Sequence, residues 1–317
     1  MLKIFRSHQG QLIEIPADVS EVEAGSWLQL IQPTKEEIQK VIQITQAPME
    51  MLTPALDVDE RSHTEVDEDN VLIVTNVPLM RAVDRYDTLP LGIVICRDYF
   101  ITICAEPNPV LDAFGPKQAR MFHTAKRTRF LFQILFRSAE LYLKHLSAIN
   151  RRTDEIESKL RRSMKNEELF ELLELHKGLT YFHASLRSNG VVLDRLLRLR
   201  SNNHVEHLIK MYEEDEDLLE DVIIENKQAL EMVDMYSNIL NGMMDTFASI
   251  ISNNLNIVMK FLASMTILIA LPTMVASFMG MNVDVPFGEH HGFLISILIS
   301  ALVTGMGALV LWKKGML

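Results

Sequence analysis

Between Phe261 and Val283 the chain carries 23 consecutive residues with no ionisable side chain; about 20 apolar residues suffice to cross the hydrocarbon core of a bilayer. A second run, Gly292–Trp312, has 21 residues and no charge, and Lys313 and Lys314 follow at once. Only Asp284 to His291 separate the two, too few residues for a domain. In lipid every backbone polar group must be satisfied within its own segment, so both runs are expected to be helices. The chain is therefore predicted to end in a tight hairpin, with spans at 255–282 and 292–312, an outer loop at 283–291 and a basic tail at 313–317.

One face of the first span differs from the rest. Alternating steps of three and four trace Gly242, Asp245, Ser249, Ser252, Asn256, Met259, Ala263, Thr266, Ala270, Thr273, Ser277 and Gly280, all small or polar except Met259. Between them lie Ile250, Leu255, Val258, Phe261, Leu262, Ile267 and Leu268. A 3.5-residue spacing is that of helices wound around a common axis. Small and polar residues at membrane depth face another helix or a water-filled cavity. The seam alone thus leaves two readings, a close helix–helix contact or the wall of a pore in an oligomer. Asp245 and Asn256 on the same line favour the pore.

The remainder reads as soluble protein. A mean hydropathy of +0.10 suits a mostly soluble chain with a small membrane part. No signal peptide is expected, since Met1 to Gly10 carries Lys3, Arg6 and His8 without an apolar core. The net charge of −11 argues against nucleic-acid binding and suits a cationic partner. Cys96 and Cys104 sit in apolar strand-like runs and read as buried reduced thiols, not as a disulfide or a zinc site.

Residues 1–115 are predicted to form a mixed α/β domain. Strands are expected at Leu2–Arg6, Gln11–Ile15, Trp27–Ile31, Val71–Val77, Leu91–Cys96 and Tyr99–Ile103. Thr34-Lys35-Glu36-Glu37 matches a capping box opening a helix toward Thr45. Asp57 to Asp69, with seven acidic residues, reads as a solvated loop. Two antiparallel helices follow within 116–201, at Gln118–Met164 and Asn166–Arg200. A stalk helix over 202–254, starting near Asn202-Asn203, is expected to run unbroken into the first span. The fold class is thus an α+β domain, a mixed sheet with flanking helices, plus a long stalk and two C-terminal transmembrane helices. No phosphate-binding loop, His-Glu-x-x-His or Gly-x-Ser-x-Gly is present, so neither an enzyme nor an organic cofactor is expected. His204 with His207, and His290 with His291, read as ordinary polar positions before they read as metal ligands.

Gly280-Met281-Asn282 at the end of the first of two C-terminal spans, followed by a short loop and a basic tail, resembles the CorA family of divalent-cation transporters. The likeness extends through Asn256, Met259, Lys260, Leu262, Pro272 and Thr273, and to Leu175-His176-Lys177-Gly178-Leu179-Thr180-Tyr181-Phe182-His183 with Leu186. Family members commonly have Tyr before the tripeptide, where this chain has Met279. The resemblance implies a funnel-shaped homopentamer in the cell inner membrane, both termini cytoplasmic, that takes up Mg2+. Gly280, Met281 and Asn282 would form the selectivity filter, with Asn282 offering its amide oxygen to the ion's water shell. Asp245, Asn256, Met259, Leu262, Thr266, Thr273 and Ser277 would line or gate the pore, and Asp284 and Glu289 would gather cations at its outer mouth. Regulatory Mg2+ would bind between Asp57 of one chain and Asp221 of its neighbour. A Zn2+, Co2+ or Ni2+ transporter, and a non-conducting Mg2+ sensor or scaffold, are the rival readings.

Overall fold

A computed structural model describes the chain except for residues 18, 20, 21, 164, 165, 200–206, 282–291 and 317. It separates into two compact units, Met1–Asn241 and Gly242–Leu317.

The first unit is organised on a seven-stranded sheet. Its strands are β1 (Leu2–His8), β2 (Gln11–Ile15), β3 (Trp27–Ile31), β4 (His63–Val66), β5 (Asn70–Ala82), β6 (Arg85–Cys96) and β7 (Phe100–Cys104), in the order β2-β1-β3-β7-β6-β5-β4. Among the described residues β3 and β7 pair in parallel and the other neighbours antiparallel. Successive strand residues point to opposite faces, and here both faces are covered. Leu28, Leu30, Leu72, Val74, Val94, Ile101 and Ile103 pack with Ile38 and Val41 of α1 (Lys35–Thr45) and Leu52 of α2 (Met49–Leu52). Trp27, Val71, Ile73, Ile93, Ile95 and Phe100 join Phe130 and Leu131 of α4 (Arg127–Ser163) and Leu193 and Leu196 of α5 (Asn166–Leu199). A short helix, α3 (Pro109–Asp112), leads from β7 toward α4. The predicted capping box at Thr34 and Glu37 is formed in full.

Two close approaches fix the layers. A Cβ on Gly178 would lie 2.8 Å from that of Tyr86, so glycine lets α5 sit against β6. A Cβ on Gly92 would meet Ala55 and Ile103 at 2.8 Å each, which lets the turn Pro54–Leu56 lie on the sheet. The thiols behave as expected: both are free and buried. Cys104 stands opposite Leu91, five residues along β6 from Cys96. That is roughly 17 Å of strand, well beyond the ~7 Å limit for a disulfide.

Three expectations need correction. The acidic stretch is not all loop: His63–Val66 forms β4, because Thr64 and Val66 pair with Ile73 and Val71 and complete the sheet edge. The first long helix begins at Arg127, not Gln118; Pro116–Gln118 is a separate 3-10 turn. The stalk helix α6 (Glu213–Met279) begins eleven residues after Asn202. Its start is set chemically. The Tyr212 carbonyl accepts from the amides of Asp215 and Glu216, and the Asp215 carboxylate accepts the Tyr212 N–H at 3.2 Å. Glu213, Glu214, Asp215 and Glu216 fill the first turn, where the helix dipole favours negative charge. Asp215 is buried beside Arg129.

In the second unit α6 continues through Pro272 and pairs with α7 (Gly292–Lys313). A Cβ on Gly307 would lie 2.5 Å from Leu271 Cδ1, so the two helices touch there. After α7, Gly315 takes φ 64°, Met316 N–H donates to the Leu311 carbonyl and Gly315 N–H to that of Trp312. This pair of bonds is a Schellman cap, which ends a helix with a left-handed glycine.

Candidate functional site

Every residue of the predicted seam, from Gly242 through Asp245, Ser249, Ser252, Asn256, Met259, Ala263, Thr266, Ala270, Thr273 and Ser277 to Gly280, is exposed. The positions of Phe261–Met279 that are buried or half-buried are Ser264, Leu268, Leu271, Pro272, Val275 and Met279. At about 100° per residue, these centre half a turn from Thr266, Thr273 and Ser277. The second helix of the hairpin thus occupies the back of α6 and leaves the seam open. That geometry removes one of the two sequence readings in part: the seam is not a contact between the two spans of one chain.

The seam is also chemically prepared to be seen from one side. Thr266 Oγ1 donates to the Leu262 carbonyl at 2.8 Å and Thr273 Oγ1 to that of Ile269 at 2.9 Å. Ser249 Oγ donates to the Asp245 carbonyl at 3.0 Å. Each hydroxyl proton is therefore committed to the helix, and its oxygen lone pairs face outward as acceptors. A row of acceptors suits a cation or its water shell. Met259 and Leu262, which flank Lys260, are exposed at 57% and 53%. Asp245 is the one carboxylate among the described residues of this unit.

At the far end α6 closes at Met279 and Gly280 follows it in a turn. Its N–H donates to the Ala276 carbonyl at 3.0 Å, and it is absent from the left-handed glycines, which among the described residues are Gly10, Gly25 and Gly315. The Met281 N–H closes a tighter bond to the Phe278 carbonyl at 3.4 Å, and the chain beyond it lies outside the described residues. Asn282, Asp284, Glu289, His290 and His291 lie outside the described residues, as does His204.

The regulatory pair is placed but not joined. Asp57 is exposed after the Pro54–Leu56 turn, where its carboxylate accepts the Asp59 N–H at 3.0 Å. Asp221 is exposed two turns into α6. Among the described residues no three His, Cys, Asp or Glu side chains come close enough to hold a metal ion.

Two features were missed from sequence. Asn189, buried on α5, accepts from Ser62 Oγ, Thr75 Oγ1 and the Asn76 N–H at 2.7–3.0 Å and donates to the Asn76 carbonyl at 2.8 Å. It stands next to Gly190 in a stretch that reads only as helix. Ser264, on the back of α6, reaches the Met316 carbonyl at 2.9 Å. Its position opposite the seam was the available signal.

A layered α/β unit, two C-terminal helices with long charge-free stretches and an exposed polar seam along one of them are the features of a membrane transporter. The comparisons agree. The family described as CorA-like Mg2+ transporter protein matches residues 23–314. A curated relative, the cobalt/magnesium transport protein CorA of Methanocaldococcus jannaschii, is 26% identical over 295 residues, 91% of this chain and 90% of the relative. The complete structure of the CorA magnesium transporter from that organism superposes with a TM-score of 0.84 at 24% identity, covering 100% of this chain and 99% of the other. The soluble domain of the same transporter superposes with a TM-score of 0.65 at 26% identity, over 77% of this chain and 95% of that one. The chain belongs to the CorA-like Mg2+ transporter family.

Proposed function

We propose that copies of this chain assemble, five by family resemblance, around the seam of α6 and conduct hydrated Mg2+ into the cell across its inner membrane, with both termini cytoplasmic. The observation that carries this reading is the exposure of the whole seam while α7 covers the opposite face. Asn256 and the acceptor row cannot favourably face hydrocarbon, so neighbouring copies and water supply their surroundings.

Mg2+ keeps its water and demands near-octahedral geometry. Neutral oxygens along the seam hydrogen-bond that water without trapping the ion, which conduction requires. Gly280, Met281 and Asn282 form the filter at the outer end, and Asp284 and Glu289 raise the local cation concentration beside it. Met259 and Leu262 form an apolar constriction that closes by excluding water, and Asp245 adds one carboxylate per chain toward the cytosol. Lys260, Lys313 and Lys314 agree with the cytoplasmic side by the positive-inside rule. A divalent ion crossing 100 mV gains about 4.6 kcal/mol, twice the ~2.3 kcal/mol of a single charge, so the potential drives uptake. Cytosolic Mg2+ between Asp57 and the neighbour's Asp221 holds the assembly shut when the cell is replete.

A second reading, Co2+ transport, is favoured by the name of the curated relative, which couples cobalt with magnesium. Flux into liposomes of the purified chain, with Mg2+, Co2+, Ni2+ and Zn2+ in turn, separates the readings. Mg2+ entry that disappears in Asn282→Ala supports the proposal. Absence of flux for every ion would leave the non-conducting sensor, and Co2+ entry without Mg2+ would give the second reading.

A further inference from the structure

Three lysines come together at one end of the second unit. Lys260 immediately precedes the charge-free stretch of α6, and Lys313 and Lys314 immediately follow that of α7. All three are exposed. Their convergence is enforced by a single hydroxyl. Ser264 Oγ lies 2.8 Å from the Lys260 carbonyl and 2.9 Å from the Met316 carbonyl. The two backbones are thus held within about 6 Å of each other. The Schellman cap at Gly315 turns the tail back onto α6 so that this bond forms. Lysine side chains have a reach comparable to that separation, and all three start from the same end of the helical pair, at the level where the apolar stretches end.

Among the described residues of the unit, no carboxylate stands near enough to neutralise them. Asp245, its one described carboxylate, is fifteen residues from Lys260, roughly 22 Å along the helix. Among the described residues none of the three lysines forms an ion pair. Trp312, 69% exposed, sits beside them, and tryptophan prefers the headgroup level of a bilayer. Charges at that depth meet lipid phosphates before they meet free solutes.

We propose that Lys260, Lys313 and Lys314, gathered by Ser264, form a site for the phosphate of an anionic phospholipid. This rests on the reading that the two helices span a membrane, not on which ion they conduct. The site selects anionic over zwitterionic lipid because the choline of phosphatidylcholine brings a cation to a site that already holds three.

Trp312 is a built-in reporter, since Trp27, the second of the two tryptophans, is buried in the first unit. The full chain is reconstituted in phosphatidylcholine vesicles containing increasing fractions of dibrominated phosphatidylglycerol or dibrominated phosphatidylcholine. Quenching of Trp312 is then read after subtracting the signal of Trp312→Phe. Each basic residue near an anionic surface favours it on the order of five-fold. The expected result is a preference of at least five-fold for phosphatidylglycerol beside Trp312. That preference falls to about one in the triple variant Lys260→Gln, Lys313→Gln, Lys314→Gln and is retained in the corresponding triple Arg variant. Equal quenching by both lipids, or an unchanged preference in the Gln variant, overturns the proposal. Loss of the preference on adding inorganic phosphate reassigns the site to a free anion and overturns it too. Failure of either brominated lipid to quench Trp312 shows that the helices are not in the bilayer, and so refutes the underlying membrane reading separately from lipid choice.

Discussion

His145 makes the stability of the first unit sensitive to mild acid. Its ring lies between Tyr86 at 5.4 Å and Phe182 at 6.3 Å, with the centroids of all three in an aromatic cluster that includes Tyr142. Its Nε2 is buried without a hydrogen-bond partner among the described residues. Burial, with a smaller contribution from Lys144, pushes its pKa down from 6.5 to about 4. The folded value is below the unfolded one, so the unfolded chain binds this proton more readily. Stability is whole above pH 6.5 and is lost as pH falls toward 4. At about 1.36 kcal/mol per pH unit the full effect at pH 5 would be about 2 kcal/mol. The ring keeps some contact with solvent, and screening reduces this to roughly 1 kcal/mol. For a unit of this size that corresponds to about 2–4 °C. Thermal unfolding of the detergent-solubilised chain, followed by the fluorescence of buried Trp27, should therefore fall between pH 7.5 and pH 5.0. In His145→Phe the fall should be smaller by 2–4 °C. Glu36, Glu37 and Glu174, whose pKa values are lowered from 4.5, contribute mainly below this window. An identical fall in wild type and variant would show that another group carries the acid sensitivity.

Asn189→Leu removes the acceptor of Thr75 Oγ1 and Ser62 Oγ and one of two acceptors of the Asn76 N–H; stranding buried groups costs about 2–3 kcal/mol, and the Trp27 transition should drop by several degrees. Burial raises the thiols of Cys96 and Cys104 to about 12 each, so maleimide should leave the native protein unlabelled at pH 7.5 and modify both after denaturation. Labelling of either in the native state contradicts the sheet register. Asp57→Asn with Asp221→Asn should leave Mg2+ currents intact and weaken their inhibition by internal Mg2+ in patch recordings. Unchanged inhibition would remove these two carboxylates from the regulatory account.

The two long apolar helices were legible because length and the absence of charge are local properties. The seam was legible because its 3.5-residue period survives any packing that keeps α6 helical. The strands around Trp27 and Phe100 were equally plain, as short runs of β-branched and aromatic residues. Other elements escaped because their causes lie elsewhere in the chain. His63–Val66 has acidic neighbours and reads as loop, and it becomes a strand only when β5 offers it a partner. The start of α6 depends on one carboxylate, Asp215, folding back on Tyr212 and meeting Arg129 from another helix. Four consecutive acids, Glu213 to Glu216, do not show which of them that will be.

Sequence by itself determined that this chain has two long uncharged stretches of helical length and a polar stripe on the first of them, since composition and period need no partner to be read. Tertiary structure alone decided which side of that stripe α7 takes. Gly307 against Leu271 and Ser264 against the tail hold α7 on the back of α6, and contacts of that kind depend on distance in space, which one-dimensional order does not record.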